Sequence, residues 1–209
     1  MSITGILLAG GKSSRMGTEK GEVILRGRKM MNFPLDALEH VCDEIIISTC
    51  NKSFKSGEHR VICDEIPGLG PIGGIFTCLK KSGSEINIVL SYDMPFVTID
   101  LLRHLIERSD NFEITAPSLE NELPEPLCTV YKKSIIPVIE KLIREKKYSV
   151  HGLFPITKFN HVPIHRDLPF FNPYLFYNVN NPEEFEEIRR MIRSQNPLPG
   201  INHEGNTGE

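Results

Sequence analysis

The chain has no tryptophan, no apolar run long enough to cross a bilayer, no paired-cysteine spacing and no marked excess of one charge. Each gap removes a class of protein. A membrane-spanning helix needs roughly 18 or more consecutive apolar residues, and polar residues interrupt every run here well before that. Lysine and arginine number 24 against 27 aspartates and glutamates, a formal charge of −3. The cations gather in the first loop instead of lining a long basic face, so neither a nucleic-acid nor a membrane surface is expected. The five cysteines, Cys42, Cys50, Cys63, Cys78 and Cys128, are odd in number and scattered. Neither a disulfide framework nor a zinc site is expected of them, and reduced, mostly buried thiols are. Ser2-Ile3-Thr4 leads directly into apolar sequence without a charged leader or cleavage pattern, which predicts a cytoplasmic protein.

What is present suits one core. With 209 residues and 40% hydrophobic content, the chain can bury a single sizeable interior. Apolar, β-branched runs bounded by turn formers predict strands at 3–9, 44–49, 60–63, 86–91, 112–116, 127–131 and 159–162. Helical patterns fall between them at about 30–41, 72–81, 98–108, 134–146 and 182–194. Alternation of this kind predicts an α/β domain over 1–195 with a mostly parallel central sheet. The segment 196–209, with two prolines, three glycines and few apolar residues, is expected to be a disordered tail.

Ligands of such sheets sit beyond the carboxyl ends of the strands, a rule that selects 10–20, 48–51, 64–74 and 91–95. The first of these is the most specific. Gly5-Ile6-Leu7-Leu8-Ala9 empties into Gly10-Gly11-Lys12-Ser13-Ser14-Arg15-Met16-Gly17, with Lys20 following. Paired glycines let main-chain N–H groups converge on anionic oxygens, and Lys12, Arg15 and Lys20 bring cations to the same place. The ending Gly11-Lys12-Ser13 imitates a Walker A loop, but the required earlier glycine is Ile6.

Within 64–74, Gly68, Gly70 and Gly73 form a GxGxxG with Asp93 downstream, the outline of a dinucleotide site. Pro71 removes a donor where such a site offers one, so a nicotinamide-dependent dehydrogenase is a rival reading and not the leading one. Ser91-Tyr92-Asp93-Met94-Pro95 follows the strand Asn87-Ile88-Val89-Leu90 and places Asp93 just past its end, where one carboxylate could share Mg²⁺ with substrate phosphates or merely cap the next helix. Asn178 and Asn180 alternate before the last helix and would project to one side of an extended segment, as ligand contacts or as caps. Glu125-Pro126-Leu127 leads into another strand, as a substrate contact or as an edge-strand start. The seven histidines show no metal spacing.

Taken in order, Leu8-Ala9-Gly10-Gly11 with Ser14-Arg15-Met16-Gly17 and Lys20, Asp64 with Gly70-Pro71-Ile72-Gly73-Gly74, Asp93-Met94-Pro95, Glu125-Pro126-Leu127 and Asn178-Val179-Asn180-Asn181-Pro182-Glu183 resemble the molybdenum cofactor guanylyltransferases. The resemblance implies a three-layer, Rossmann-like nucleotidyltransferase that moves GMP from GTP to molybdopterin with Mg²⁺ and releases pyrophosphate. It also implies nucleotide contacts at Leu8, Ala9, Gly10, Gly11, Lys20, Asp64, Gly73 and Asp93, with Ser48 or Asn51 at the second strand. Arg15, Lys20 and Asp93 are implied as the catalytic groups, Asp93 as the metal ligand, and Asn178 and Asn180 as the molybdopterin side. Passing contact with molybdoenzymes or cofactor-delivery proteins belongs to the same expectation. Relatives that use CTP share much of this pattern but carry Leu-Ala-Ala-Gly, so Gly10 favours the purine. A cytidylyltransferase and a non-catalytic nucleotide-binding regulator are the remaining alternatives.

Overall fold

The computed structural model describes residues 2–10, 24–25, 27–51 and 57–195. Strands β1 (Ile3–Leu8), β2 (Ile24–Leu25), β3 (Arg28–Lys29), β4 (Glu44–Ser48), β5 (Arg60–Ile62), β6 (Ile86–Ser91), β7 (Ile114–Ser118), β8 (Cys128–Lys132) and β9 (Phe159–Pro163) alternate with five helices. These are α1 (Asn32–Glu39), α2 (Pro71–Lys81), α3 (Ile99–Ile106), α4 (Ile136–Arg144) and α5 (Pro182–Gln195). Among the described residues the main sheet has seven strands in the order β5-β4-β1-β6-β8-β7-β9. The expected mostly parallel sheet is therefore present, with β8 alone antiparallel to both neighbours. A two-stranded hairpin, β2 with β3, stands apart.

The central strands are apolar on both faces because helices cover both. Along β1, Leu7 faces one core, which contains Leu38 of α1, Leu101 and Leu105 of α3 and Phe185 of α5. Ile6 and Leu8 face the other, with Ile72, Ile75 and Leu79 of α2 and Ile139 and Leu142 of α4. This is why the strands read as continuous hydrophobic runs instead of alternating ones. Each fully buried Leu or Ile removes on the order of 2–3 kcal/mol of apolar surface from water, and the three layers follow.

Helix starts match their sequences. The Thr98 side chain accepts the Leu101 amide at 3.2 Å to open α3, and Asn181 Oδ1 accepts the Glu184 amide at 2.9 Å to open α5, the usual work of an N-cap. Among the described residues, no helix is long and apolar enough to cross a membrane.

One expectation fails. Cys50 and Cys63 form a disulfide, with Cα atoms 4.4 Å apart. Parallel pairing brings them together: Ser48 pairs with Ile62, Thr49 N–H donates to Ile62 O at 2.9 Å, and the two cysteines are next along their chains. Of the others, Cys78 and Cys128 are buried thiols and Cys42 is half-buried.

Candidate active site

Three strands end on one level. Leu8 of β1 pairs with Ser48 of β4 and with Ser91 of β6. Ala9 N–H donates to Ser48 O at 2.9 Å and Tyr92 N–H to Leu8 O at 3.1 Å. Beyond this rung β1 has β4 on one side and β6 on the other, which makes it the point where the chain reverses its order across the sheet and leaves a crevice.

On the β4 side, Ser48 Oγ donates to Asp64 Oδ1 at 3.1 Å. Both groups press against the first turns of α2. A Cβ at Gly74 would lie 2.7 Å from Ser48 Oγ and 3.3 Å from Asp64 Oδ1, so only glycine lets the helix approach them. Burial raises the Asp64 pKa, and the Ser48 hydroxyl pulls it partly back. Asn51 follows, half-buried, its backbone N–H donating to Thr49 Oγ1 at 3.2 Å. Gly10 differs from Gly74. Among the described residues its nearest neighbour would be Ser48 O at 3.6 Å, an ordinary contact, so none of them requires glycine there.

Asp93 lies just past the central strand. One of its oxygens accepts the Ser91 hydroxyl at 2.6 Å, and the other has no protein donor among the described residues. A half-buried carboxylate oxygen in this position is a ligand of the kind a hard cation takes. The backbone of the same residue holds the C-terminal segment, because Asp93 O accepts Val179 N–H at 2.8 Å.

On the β8 side, Ser91 N–H donates to Leu127 O at 2.9 Å, bringing Glu125 to the same crevice. Glu125 Oε1 accepts the Leu127 amide at 2.8 Å. Burial raises its pKa most, the Leu127 N–H opposes this, and the nearby Asp93 and Glu122 carboxylates raise it further. His151 Nε2 lies 3.1 Å from Pro124 O and ties the neighbouring 3-10 segment Val150–Ile156 to this loop.

A family described as "MobA-like NTP transferase domain" matches residues 5–155. The chain belongs to this family. A probable molybdenum cofactor guanylyltransferase from Pelotomaculum thermopropionicum is 32% identical to this MobA-like transferase over 197 residues, covering 93% of this chain and 95% of the relative. One from Methanosarcina mazei is also 32% identical over 199 residues, covering 88% of each. Among solved structures, molybdopterin-guanine dinucleotide biosynthesis protein A from Archaeoglobus fulgidus superposes with a TM-score of 0.72 at 24% identity, covering 91% of this chain and 99% of that one. A 4-diphosphocytidyl-2C-methyl-D-erythritolsynthase from Anaerococcus prevotii does so at 0.67 and 16%, covering 92% and 96%. At these identities the likeness is one of fold.

In the MobA-like transferase Leu8, Ala9, Gly10, Ser48 and Asp93 thus lie at the ends of β1, β4 and β6, Asp64 is bonded to Ser48, and Gly73 sits beside Asp64, where an added Cβ would lie 3.6 Å from Asp64 Oδ2; Asn51 follows the end of β4. Gly11, Arg15 and Lys20 lie outside the described residues. The Val179–Asp93 bond holds the backbone between Asn178 and Asn180 beside Asp93. However, Asn180 also turns into the start of α5: its N–H donates to Glu184 Oε2 at 2.8 Å and its Nδ2 to Asn178 O at 3.2 Å. Asn178 is exposed. The sequence reading missed the part played by Ser91, although a hydroxyl two residues before the acid is a spacing that could have signalled it.

Proposed function

We propose that this MobA-like transferase moves GMP from GTP to molybdopterin and releases pyrophosphate. The observation that carries the reading is the position of Asp93 past β6, with Ser48 and Asp64 on the β4 side and Glu125 on the β8 side. The guanine and ribose would lie on the Ser48–Asp64 half, close to Gly10. There no described residue crowds the main chain, which suits a purine, and an added methyl group would meet the described residues at no more than ordinary contact.

A phosphate oxygen of molybdopterin would then attack the α-phosphorus of GTP in line. The new P–O bond forms as the bond from the α-phosphorus to the bridging oxygen breaks, and the electron pair leaves on pyrophosphate. Such transfer asks the protein for alignment and neutralisation of charge, not for a nucleophilic side chain. Asp93, oriented by Ser91, would hold Mg²⁺ against the phosphates, and the ion supplies charge neutralisation at the oxygens of the reacting and leaving groups. Arg15 and Lys20 would offset the charge that builds on pyrophosphate, and Gly11 would offer its N–H to the phosphates. Asn178 and Asn180 would meet molybdopterin, and a product made at the open carboxyl ends of the strands could pass to a molybdoenzyme or a delivery protein.

A ligand that prefers the folded state raises the melting temperature. GTP with Mg²⁺ is expected to do so more than ATP, CTP or NAD at equal concentration. Gly10→Ala is expected to melt like wild type without nucleotide and to lose most of the shift given by GTP. A larger shift with NAD, or equal shifts with GTP and CTP, would overturn the guanylyl assignment.

A further inference from the structure

Glu125 is a half-buried carboxylate with more supporting structure than a loop residue needs. Its N–H donates to Pro117 O at 2.7 Å, its carbonyl accepts the Thr129 hydroxyl, and the Tyr131 hydroxyl donates to Pro126 O at 2.8 Å. The Leu127 amide fixes Oε1 at 2.8 Å, while Oε2 has no protein donor among the described residues. Its charged neighbours, Asp93 and Glu122, are of the same sign. A carboxylate held in place, desolvated and without a cation among the described residues marks a ligand contact more often than a structural one.

We propose that Glu125 reads the acceptor by accepting hydrogen bonds from the adjacent N–H groups of a 2-amino-4-oxopyrimidine edge, the edge that a pterin presents. The proposal rests on the transfer reaction above and names the chemistry of its acceptor half. A carboxylate is an acceptor-only fork, and an amine beside a ring N–H is its planar complement.

Guanine carries the same pair of donors, so position decides between the two sources. β8, which Glu125 precedes, is separated from β4 by β1 and β6. At about 4.8 Å per strand this places the two halves roughly 14 Å apart. A guanine held beside Ser48 and Asp64 is out of reach of Glu125, whereas Asp93, just past the end of β6, is one strand away. The fork therefore belongs to the group that attacks, not to the nucleotide.

The test compares two pairs of compounds that differ by the 2-amino group: pterin against lumazine, and GTP against ITP. Affinities are read by fluorescence titration for the pteridines and by melting shift for the nucleotides, on wild type and on Glu125→Gln. Glutamine keeps an oxygen for the Leu127 amide, so a purely structural role predicts no change. Wild type is expected to prefer pterin over lumazine by about tenfold or more, the scale of hydrogen bonds to a charged group. The variant is expected to bind the two within about threefold, with its preference between GTP and ITP unaltered.

Equal binding of pterin and lumazine by wild type would overturn the proposal even if the variant did not fold. So would a preference for pterin that survives in Glu125→Gln, or a loss confined to GTP against ITP. Failure of the guanylyl reading has a different signature: GTP would give no shift, whatever the pteridines do.

Discussion

Among the described residues Asp93 holds no structural bond that asparagine would lose. Its Oδ1 accepts from Ser91, and its backbone carbonyl holds Val179; both contacts persist in Asp93→Asn, while the charge that would hold Mg²⁺ is gone. The variant is expected to melt within a degree or two of wild type and to release pyrophosphate about 100–1,000-fold more slowly, the range for losing one electrostatic contact made in the transition state. Wild-type turnover would remove Asp93 from the metal site. The position of this residue was legible in the sequence because an acid two residues past the end of a buried parallel strand has few other places to be. Glu125 was less so. Its role depends on the nearness of Asp93, which arises only when β6 and β8 pair. Asn180 shows the converse: alternation suggested a ligand contact, and the structure adds a bond to Glu184 that the spacing alone did not reveal.

At the scale of elements, seven strands and five helices lie where periodicity and turn residues predicted them, with ends shifted by one or two residues. What was missed has a common cause. β2 and β3 are two residues each, too short to show alternation, and Val150–Ile156 is a 3-10 segment containing Pro155, with no 3.6-residue period to detect. The Cys50–Cys63 disulfide was missed because a bridge between neighbouring parallel strands has no sequence spacing of its own. It closes a loop of sequence separation 13, for which chain entropy gives about 3 kcal/mol. It also ties the short edge strand β5 to β4 beside Asp64. Reduction, or the pair Cys50→Ser and Cys63→Ser, is expected to lower the unfolding free energy by about 2–3 kcal/mol in denaturant titrations. An unchanged midpoint would mean that the strands hold their ends without the bridge.

Across the whole molecule the sheet works as a ruler, setting Asp64 on one side of the crevice and Glu125 on the other, with Asp93 between. Burial raises the pKa of both outer carboxylates, so the crevice is assembled at a cost to the fold that depends on pH. A carboxyl group whose pKa is raised by folding binds its proton more tightly in the folded state than in the unfolded chain. Stability therefore declines as pH rises from the ordinary carboxylate range through the raised values, and the cost stands in full once both groups are ionised. The opposite shifts at Glu65, held low by Lys80, and at Glu145, held low by Lys147, are common to wild type and variant and cancel in a comparison. The double variant Asp64→Asn with Glu125→Gln keeps acceptors for Ser48 and Leu127 but cannot ionise. Its melting temperature is expected to exceed that of wild type at pH 8, and the gap should close as the pH falls to about 4, near the unperturbed carboxylate values. A gap of the opposite sign, or one that does not change with pH, would show that the two carboxylates are paid for within the folded crevice by contacts that their neutral counterparts cannot make.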